Sequence, residues 1–286
     1  MKKHVRLLAL FLSLLLLSPL LFACGGGDER PVIAVTIPPE ADFVSAVCGD
    51  DFRIVTMVPP GYSPESYEPS VRAMMDFSDA AVFFSIGVPV EATALMPSLS
   101  QNTVHVALDR VAAAEYPELS IGSDRDPHVW LSPRRAKLMV AAIADTLAGL
   151  QPDRAEAYRE NAAAYSARID AADARIRALI AECGMTEFIV YHPAFGYLAE
   201  EYGLTMHALE SHGSEATAAD MAAMADLAKE RGIRVIFYQA ETDGRQAKAF
   251  AEEIGGEAVM LSPLAENYVE NLEIMAEAIA TAMGKE

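Results

Sequence analysis

Residues 151–182 read QPDRAEAYRENAAAYSARIDAADARIRALIAE, and this stretch sets the architecture. After Pro152-Asp153, the residues Tyr158, Ala162, Tyr165, Ile169, Ala172, Ile176 and Leu179 recur at alternating steps of four and three. That spacing places all seven on one stripe of a helix. At 1.5 Å per residue, roughly 30 helical residues span about 45 Å, longer than one small lobe. Such a stripe fits either a coiled-coil seam between chains or a strut between two folded units. Only about three heptads are present and an αβ pattern lies on each side, so the strut is the better reading.

Toward the N-terminus, the β-rich runs Val32–Thr36, Phe52–Val58, Ala80–Ile86 and Thr103–Leu108 read as strands. A helix near Glu40–Val47 follows the first, and Pro133 opens another that runs to about Gly149. Past the strut the pattern repeats, with strands Phe188–Tyr191, Leu204–Leu209, Val235–Tyr238 and Ala258–Leu261. Helices Ala218–Arg231, Gln246–Ile254 and Glu266–Met283 lie between and after them. Strands alternating with helices imply mostly parallel sheets covered on both faces. The expected fold is therefore α/β: two αβ lobes, residues 32–150 and 183–286, joined by one long rigid helix over 151–182. In open αβ sheets ligands collect at the C-terminal ends of strands, which here face an interlobe cleft.

Lys2, Lys3 and Arg6 precede an apolar run, Leu7–Phe22, broken by Pro19. This reads as a secretory leader over residues 1–23, too short for a comfortable membrane span. Leu21-Phe22-Ala23-Cys24 has the form of a lipobox, so Cys24 is expected to be diacylated and to anchor the body at a membrane. Ordinary cleavage near Ala23, with Cys24 a chance thiol, is the alternative. Residues 24–31 form a flexible Gly-rich tether. The chain carries a formal charge of −19, and three of its 22 cations lie in the leader, so the mature body is nearer −22. Such a body repels nucleic acid and anionic lipid and suits a cationic ligand. Cys48 and Cys183 fall in different lobes and are expected to be two buried thiols, a disulfide being the alternative.

Three Pro- or Gly-marked loops each carry one potential metal ligand. They are Pro59-Pro60-Gly61-Tyr62-Ser63-Pro64-Glu65-Ser66-Tyr67-Glu68-Pro69, Asp126-Pro127-His128-Val129-Trp130-Leu131 and Tyr191-His192-Pro193-Ala194-Phe195-Gly196-Tyr197. A neutral imidazole on a Pro-fixed loop makes His128 a preorganised zinc ligand, with Asp126 placed to orient it. A structural histidine beside the chain's single tryptophan is the plainer reading, and for His192 it is a helix N-terminal cap.

Taken in order, the three loops resemble the ligand loops of the zinc-type metal-binding lipoproteins that serve ABC importers, the cluster A-I solute-binding family. The resemblance runs from about residue 32 to the C-terminus. It implies that His128 and His192 ligate metal from opposite lobes. It further implies an extracytoplasmic, membrane-anchored, monomeric receptor that hands one divalent ion to a permease subunit, with Zn²⁺ the first candidate. Two departures stand out. Glu65 occupies the place of a family histidine, and a carboxylate there ligates zinc but improves the standing of Mn²⁺ or Fe²⁺. Ser262, in Leu261-Ser262-Pro263-Leu264, stands where relatives place an acid. His212 is the expected compensator, with Gln239, Glu241 or water as the other options. His105 and His207 sit within strands and read as structural.

The readings from other classes are a zinc hydrolase and a surface lipoprotein of adhesin type with structural metal. No His-Glu-x-x-His stretch or paired general base supports a hydrolase, so the chain is not expected to be an enzyme.

Overall fold

The computed structural model describes residues 28–184, 186–210 and 216–284. The leader, Cys24 and His212 lie outside the described residues. Strand β1 (Val32–Val35) is buried along its whole length, and its β-branched residues suit a central position covered on both faces. Helix α1 (Pro38–Cys48) follows, then β2 (Arg53–Thr56), α2 (Val71–Ser78), β3 (Ala80–Ser85), β4 (Val104–Ala107) and α3 (Leu108–Ala113). The four strands form a wholly parallel sheet in the order β2-β1-β3-β4.

A two-residue antiparallel hairpin, β5 (Ser120–Ile121) with β6 (Asp124–Arg125), comes next and leads through one 3₁₀ turn into α4 (Pro133–Leu150). The second lobe comprises β7 (Glu187–Val190), α6 (Gly196–Tyr202), β8 (Thr205–Ala208), α7 (Ala218–Arg231), β9 (Val235–Gln239), α8 (Arg245–Glu253), β10 (Glu257–Leu261) and α9 (Tyr268–Met283). Its strands are parallel in the order β10-β9-β7-β8. Two parallel αβ sheets thus stand where the alternating pattern places them. The loop of His128 departs from that reading, since it follows the small hairpin rather than a strand of the main sheet.

Between the lobes runs α5 (Ala155–Cys183), 29 residues long. Its buried stripe is Tyr158, Ala162, Tyr165, Ile169, Ala172, Ile176 and Ile180. Six of these are the residues the spacing picks out, but the seventh is Ile180 rather than Leu179. A straight helix has 3.6 residues per turn, so a four-three repeat drifts by about 20° per heptad and the last contact moves on by one. Gly184 ends the helix at φ 67°, donating its N–H to the Ile180 carbonyl. The helix is no free rod: it packs lengthwise on α4, α1 and α9, and one apolar core runs through it from β1 and β3 to β7 and β9.

Polar ties pin the same seam. The Asp42 carboxylate on α1 accepts from the Tyr165 hydroxyl at 2.6 Å and from the Tyr268 backbone N–H at 3.0 Å, so three elements meet on one oxygen. Tyr268 in turn donates its hydroxyl to the Trp130 carbonyl at 2.7 Å, and the Trp130 indole donates to the Pro263 carbonyl at 3.0 Å. Arg135, 1% exposed, bonds Glu200 at 2.6 Å and lies over the Tyr197 ring, joining α4 to α6.

Cys48 is buried and Cys183 half-buried, and both are free thiols. The expectation of two buried thiols therefore holds for Cys48 alone, because Cys183 lies off the buried stripe of α5 at its last residue. Among the described residues no helix is long and apolar enough to cross a membrane.

One buried pair in the first lobe carries unusual electrostatics. Glu40 accepts from the backbone N–H groups of Thr36 and Ile37, both at 3.0 Å, while its Oε1 has no partner. Glu91 accepts from the Thr36 hydroxyl at 2.6 Å and from the N–H groups of Ile86 and Gly87. Burial first, and then the neighbouring Glu91 charge, push the Glu40 carboxyl well above its ordinary 4.5. Asp109 adds to the repulsion, although Arg125 pairs with it at 3.0 Å.

Two expectations follow from this packing. Ile169→Ala empties a fully buried site shared by both lobes and is expected to cost about 2–5 kcal/mol, read as a lower denaturant midpoint with an unchanged slope. Because the folded Glu40 pKa is raised, the native state binds more protons than the unfolded chain above pH 4.5, so stability falls as pH rises through that window. Glu40→Gln is expected to flatten this decline in melting temperature; an unaltered pH slope would show that Glu40 is ionised in the fold.

Candidate metal centre

The loop after β2 turns at Gly61, whose φ of 84° is open to glycine at no cost. It then winds into a tight turn in which Ser66 and Tyr67 donate to the Ser63 carbonyl. The Glu65 N–H rests on the Ser63 hydroxyl at 3.3 Å, which holds the base of the carboxylate while its head stays partly exposed.

His128 is fixed from its own loop. The Asp126 carboxylate accepts from the His128 backbone N–H at 2.9 Å and pairs with its Nδ1 at 2.8 Å. With Nδ1 committed, Nε2 is left for the cleft. Asp126 itself is buried against the other lobe: a Cβ added at Gly196 would stand 2.6 Å from its Oδ2. Glycine at 196 is therefore what lets the His192 loop approach the carboxylate that orients His128.

His192 follows β7 and is buried. Its Nδ1 meets Glu210 Oε2 at 2.7 Å and its Nε2 meets Glu65 Oε1 at 3.2 Å. The two imidazole rings stand edge to face, with centroids 5.4 Å apart. One ligand atom from each of Glu65, His128 and His192 lies within 4.8 Å of the other two. Ligands around a tetrahedral zinc ion stand about 3.4 Å apart, so a small inward shift brings the three into range. The triad draws one group from the loop after β2, one from the loop before α4 and one from the second lobe.

Charge around His192 is strongly biased. Burial alone would lower its pKa, but the bonds to Glu210 and Glu65 and their charges outweigh it and lift the imidazole to about 9. The same bond from His192 holds Glu65 below the usual carboxylate range against its desolvation. Beside the triad opens a cleft of about 650 Å³ whose walls include Glu210, Glu241, Asp243 and Arg245.

Glu65, His128 and His192, expected from three separate loops, converge. His212 cannot be placed, as it lies outside the described residues. Ser262 does not line the pocket around the triad, and its carbonyl accepts from the Asn271 amide at 2.8 Å. His105 pairs with Ser85 and stacks on Phe83, while His207 pairs with Glu187, both apart from the triad. Glu210 was not legible as a partner of His192. The signal is the register of β7 on β8, with Val190 opposite Ala208, which continues by two residues to set His192 opposite Glu210. Without knowing which strands pair, that carboxylate is one acid among 41.

Comparison with known proteins agrees with this geometry. The sequence profile of the family described as "ZnuA: Zinc-uptake complex component A periplasmic" matches residues 33–282. The zinc-binding lipoprotein AdcA of Streptococcus pneumoniae serotype 4 is 28% identical over 315 residues, covering 100% of this chain and 62% of that protein. This chain therefore spans less than two thirds of that relative's length. The zinc-binding protein AdcA of Streptococcus pyogenes serotype M1 is likewise 28% identical, over 83% of this chain and 51% of that protein. Among solved structures, a crystal structure of ZnuA superposes with a TM-score of 0.83 at 30% identity, covering 89% of this chain and 100% of that one. The periplasmic zinc-binding protein TroA of Treponema pallidum shares the fold, with a TM-score of 0.82 at 22% identity, over 90% of this chain and 100% of that one. With nearly the whole body of the chain matched and two αβ lobes closing on one ligand cluster, the chain belongs to the family of periplasmic zinc-uptake component A proteins.

Proposed function

We propose that this protein is the extracytoplasmic receptor of an ABC importer, which captures one divalent transition-metal ion, Zn²⁺ first, and delivers it to a membrane permease. The observation that carries the reading is the convergence of Glu65, His128 and His192 from both lobes within 4.8 Å. Two imidazoles and a carboxylate, each imidazole oriented by a carboxylate of its own, form a donor set suited to zinc. The family description and the zinc-binding names of the relatives support the same cargo.

Capture is ligation across the cleft. An ion entering beside Glu65 displaces the proton of His192 and draws the lobes onto itself. The seam along α5 restricts how far they separate, so the site closes through small shifts rather than a wide hinge. Release follows when the permease draws the loops apart and water replaces the ligands. No bond in the cargo is made or broken, and the chain acts as a carrier rather than an enzyme. Diacylated Cys24 would hold this monomeric receptor beside its permease, facing the periplasm or the exterior. Residues 32–150, 151–182 and 183–286 serve as lobe, strut and lobe.

Glu65 favours a second reading within the same class, a receptor for Mn²⁺ or Fe²⁺, because a carboxylate in place of an imidazole is a harder donor. A competitive chelator titration with Zn²⁺ and Mn²⁺ side by side separates the two. One tight zinc equivalent, weakened at least about tenfold in Glu65→Ala, is expected for a zinc receptor with Glu65 as ligand. Manganese bound more tightly than zinc would move the cargo, and neither metal bound better than micromolar would sink the transport reading. Glu210→Gln leaves the ligand set intact but weakens the support of His192, and is expected to lower zinc affinity by about 10–100-fold with the fold retained.

A further inference from the structure

The triad accounts for three protein ligands, and the position where relatives carry an acid is Ser262, which stays outside the pocket. The fourth side of that pocket is the open question. Trp130, Pro263 and Leu264 close it with apolar surface and Ser63 is committed to the Glu65 N–H, which among the described residues leaves one further polar side chain in the wall, Gln239.

Gln239 is the last residue of β9, at the C-terminal edge of a parallel sheet, and is only 7% exposed. Its backbone carbonyl accepts from both the N–H and the hydroxyl of Thr242, at 3.2 and 2.9 Å. No described residue pairs with its side-chain amide, which is not among the wholly enclosed unpaired atoms and so opens onto the pocket it lines. A side-chain amide that lines a ligand pocket without a protein partner keeps its oxygen available to what the pocket holds. Gln239 also borders the wider cleft, so it stands where the pocket opens to solvent. Glu241, two residues on, lines that cleft alone.

Building on the metal-receptor reading, we propose that the Gln239 carboxamide oxygen is the fourth protein ligand of the captured ion. A carbonyl oxygen is a neutral hard donor. Added to two imidazoles and one carboxylate, it completes four-coordination without a second negative charge and leaves the bound ion net cationic. The site thereby holds its cargo less tightly than a two-carboxylate site, which suits a protein that must give the ion up.

The test compares the full chain with Gln239→Leu, which keeps the bulk and removes the oxygen, and Gln239→Glu, which places an anionic oxygen at the same point. Zinc affinity is read by chelator competition, Co²⁺ binding by its visible absorption, and the metal-free fold by its melting temperature. The proposal expects Gln239→Leu to melt as wild type without metal, to bind zinc at least tenfold more weakly, and to show a weaker cobalt band as solvent enters the shell. Gln239→Glu is expected to bind zinc more tightly than wild type. Zinc affinity within twofold of wild type in Gln239→Leu overturns the proposal. A weakened affinity with an unchanged cobalt band also overturns it, since the amide would then act through water. If Gln239→Leu fails to fold, Gln239→Glu decides, and no gain in affinity there overturns it. The underlying reading fails separately, when wild type takes up no zinc or His128→Ala binds it undiminished.

Discussion

The helix Ala155–Cys183 and its apolar seam are what the rest of the molecule depends on. Seven buried side chains along one stripe give each lobe a shared wall, so neither lobe has a core complete without it. Burial of that stripe is the main driving force, since apolar area removed from water contributes about 25 cal/mol per Å². The Asp42 carboxylate then sets the alignment. By accepting from both Tyr165 and Tyr268 it joins a helix of the first lobe, the spine and the last helix of the second. Hydrophobic burial is indifferent to register, whereas a half-buried carboxylate with two donors is not.

This alignment reaches the site through few residues. Tyr268 bonds the backbone of Trp130, two positions from His128, and the Trp130 indole bonds the backbone of Pro263 at the end of the last strand. On the other side, the close approach of Gly196 to Asp126 couples the His192 loop to the carboxylate that orients His128. The two histidines therefore do not depend on loop conformation alone. Each has a carboxylate on Nδ1, so both present Nε2 to the cleft. Glu65 is the freest of the three, on an exposed turn with its N–H on Ser63 and its carboxylate on His192.

Much of this was readable in advance because it is local. Period-2 and period-3.6 patterning located the strands of both sheets and the helices over Ala218–Arg231 and Pro133–Leu150, since side-chain burial follows backbone geometry within a few residues. Proline and glycine marked the ligand loops for the same reason. Where the reading slipped, the cause was cumulative or long-range. The last contact of the long helix moved from Leu179 to Ile180 through drift along a straight helix, and the hairpin Ser120–Arg125 is too short to show a period. Cys183 reads as a core residue by type but falls off the buried face.

What the sequence by itself determined is the set of parts: two parallel αβ units, one helix long enough to join them, and three loops each holding one member of the triad. What only the tertiary structure decided is which groups stand together at the site. Glu210 meets His192 because β8 pairs with β7 in one register, Gly196 matters because Asp126 arrives from the other lobe, and Gln239 faces the pocket because β9 lies beside β7. Those neighbours are separated by 18 to 70 positions in the chain, a distance over which periodicity carries no information and only the packing of the two lobes does.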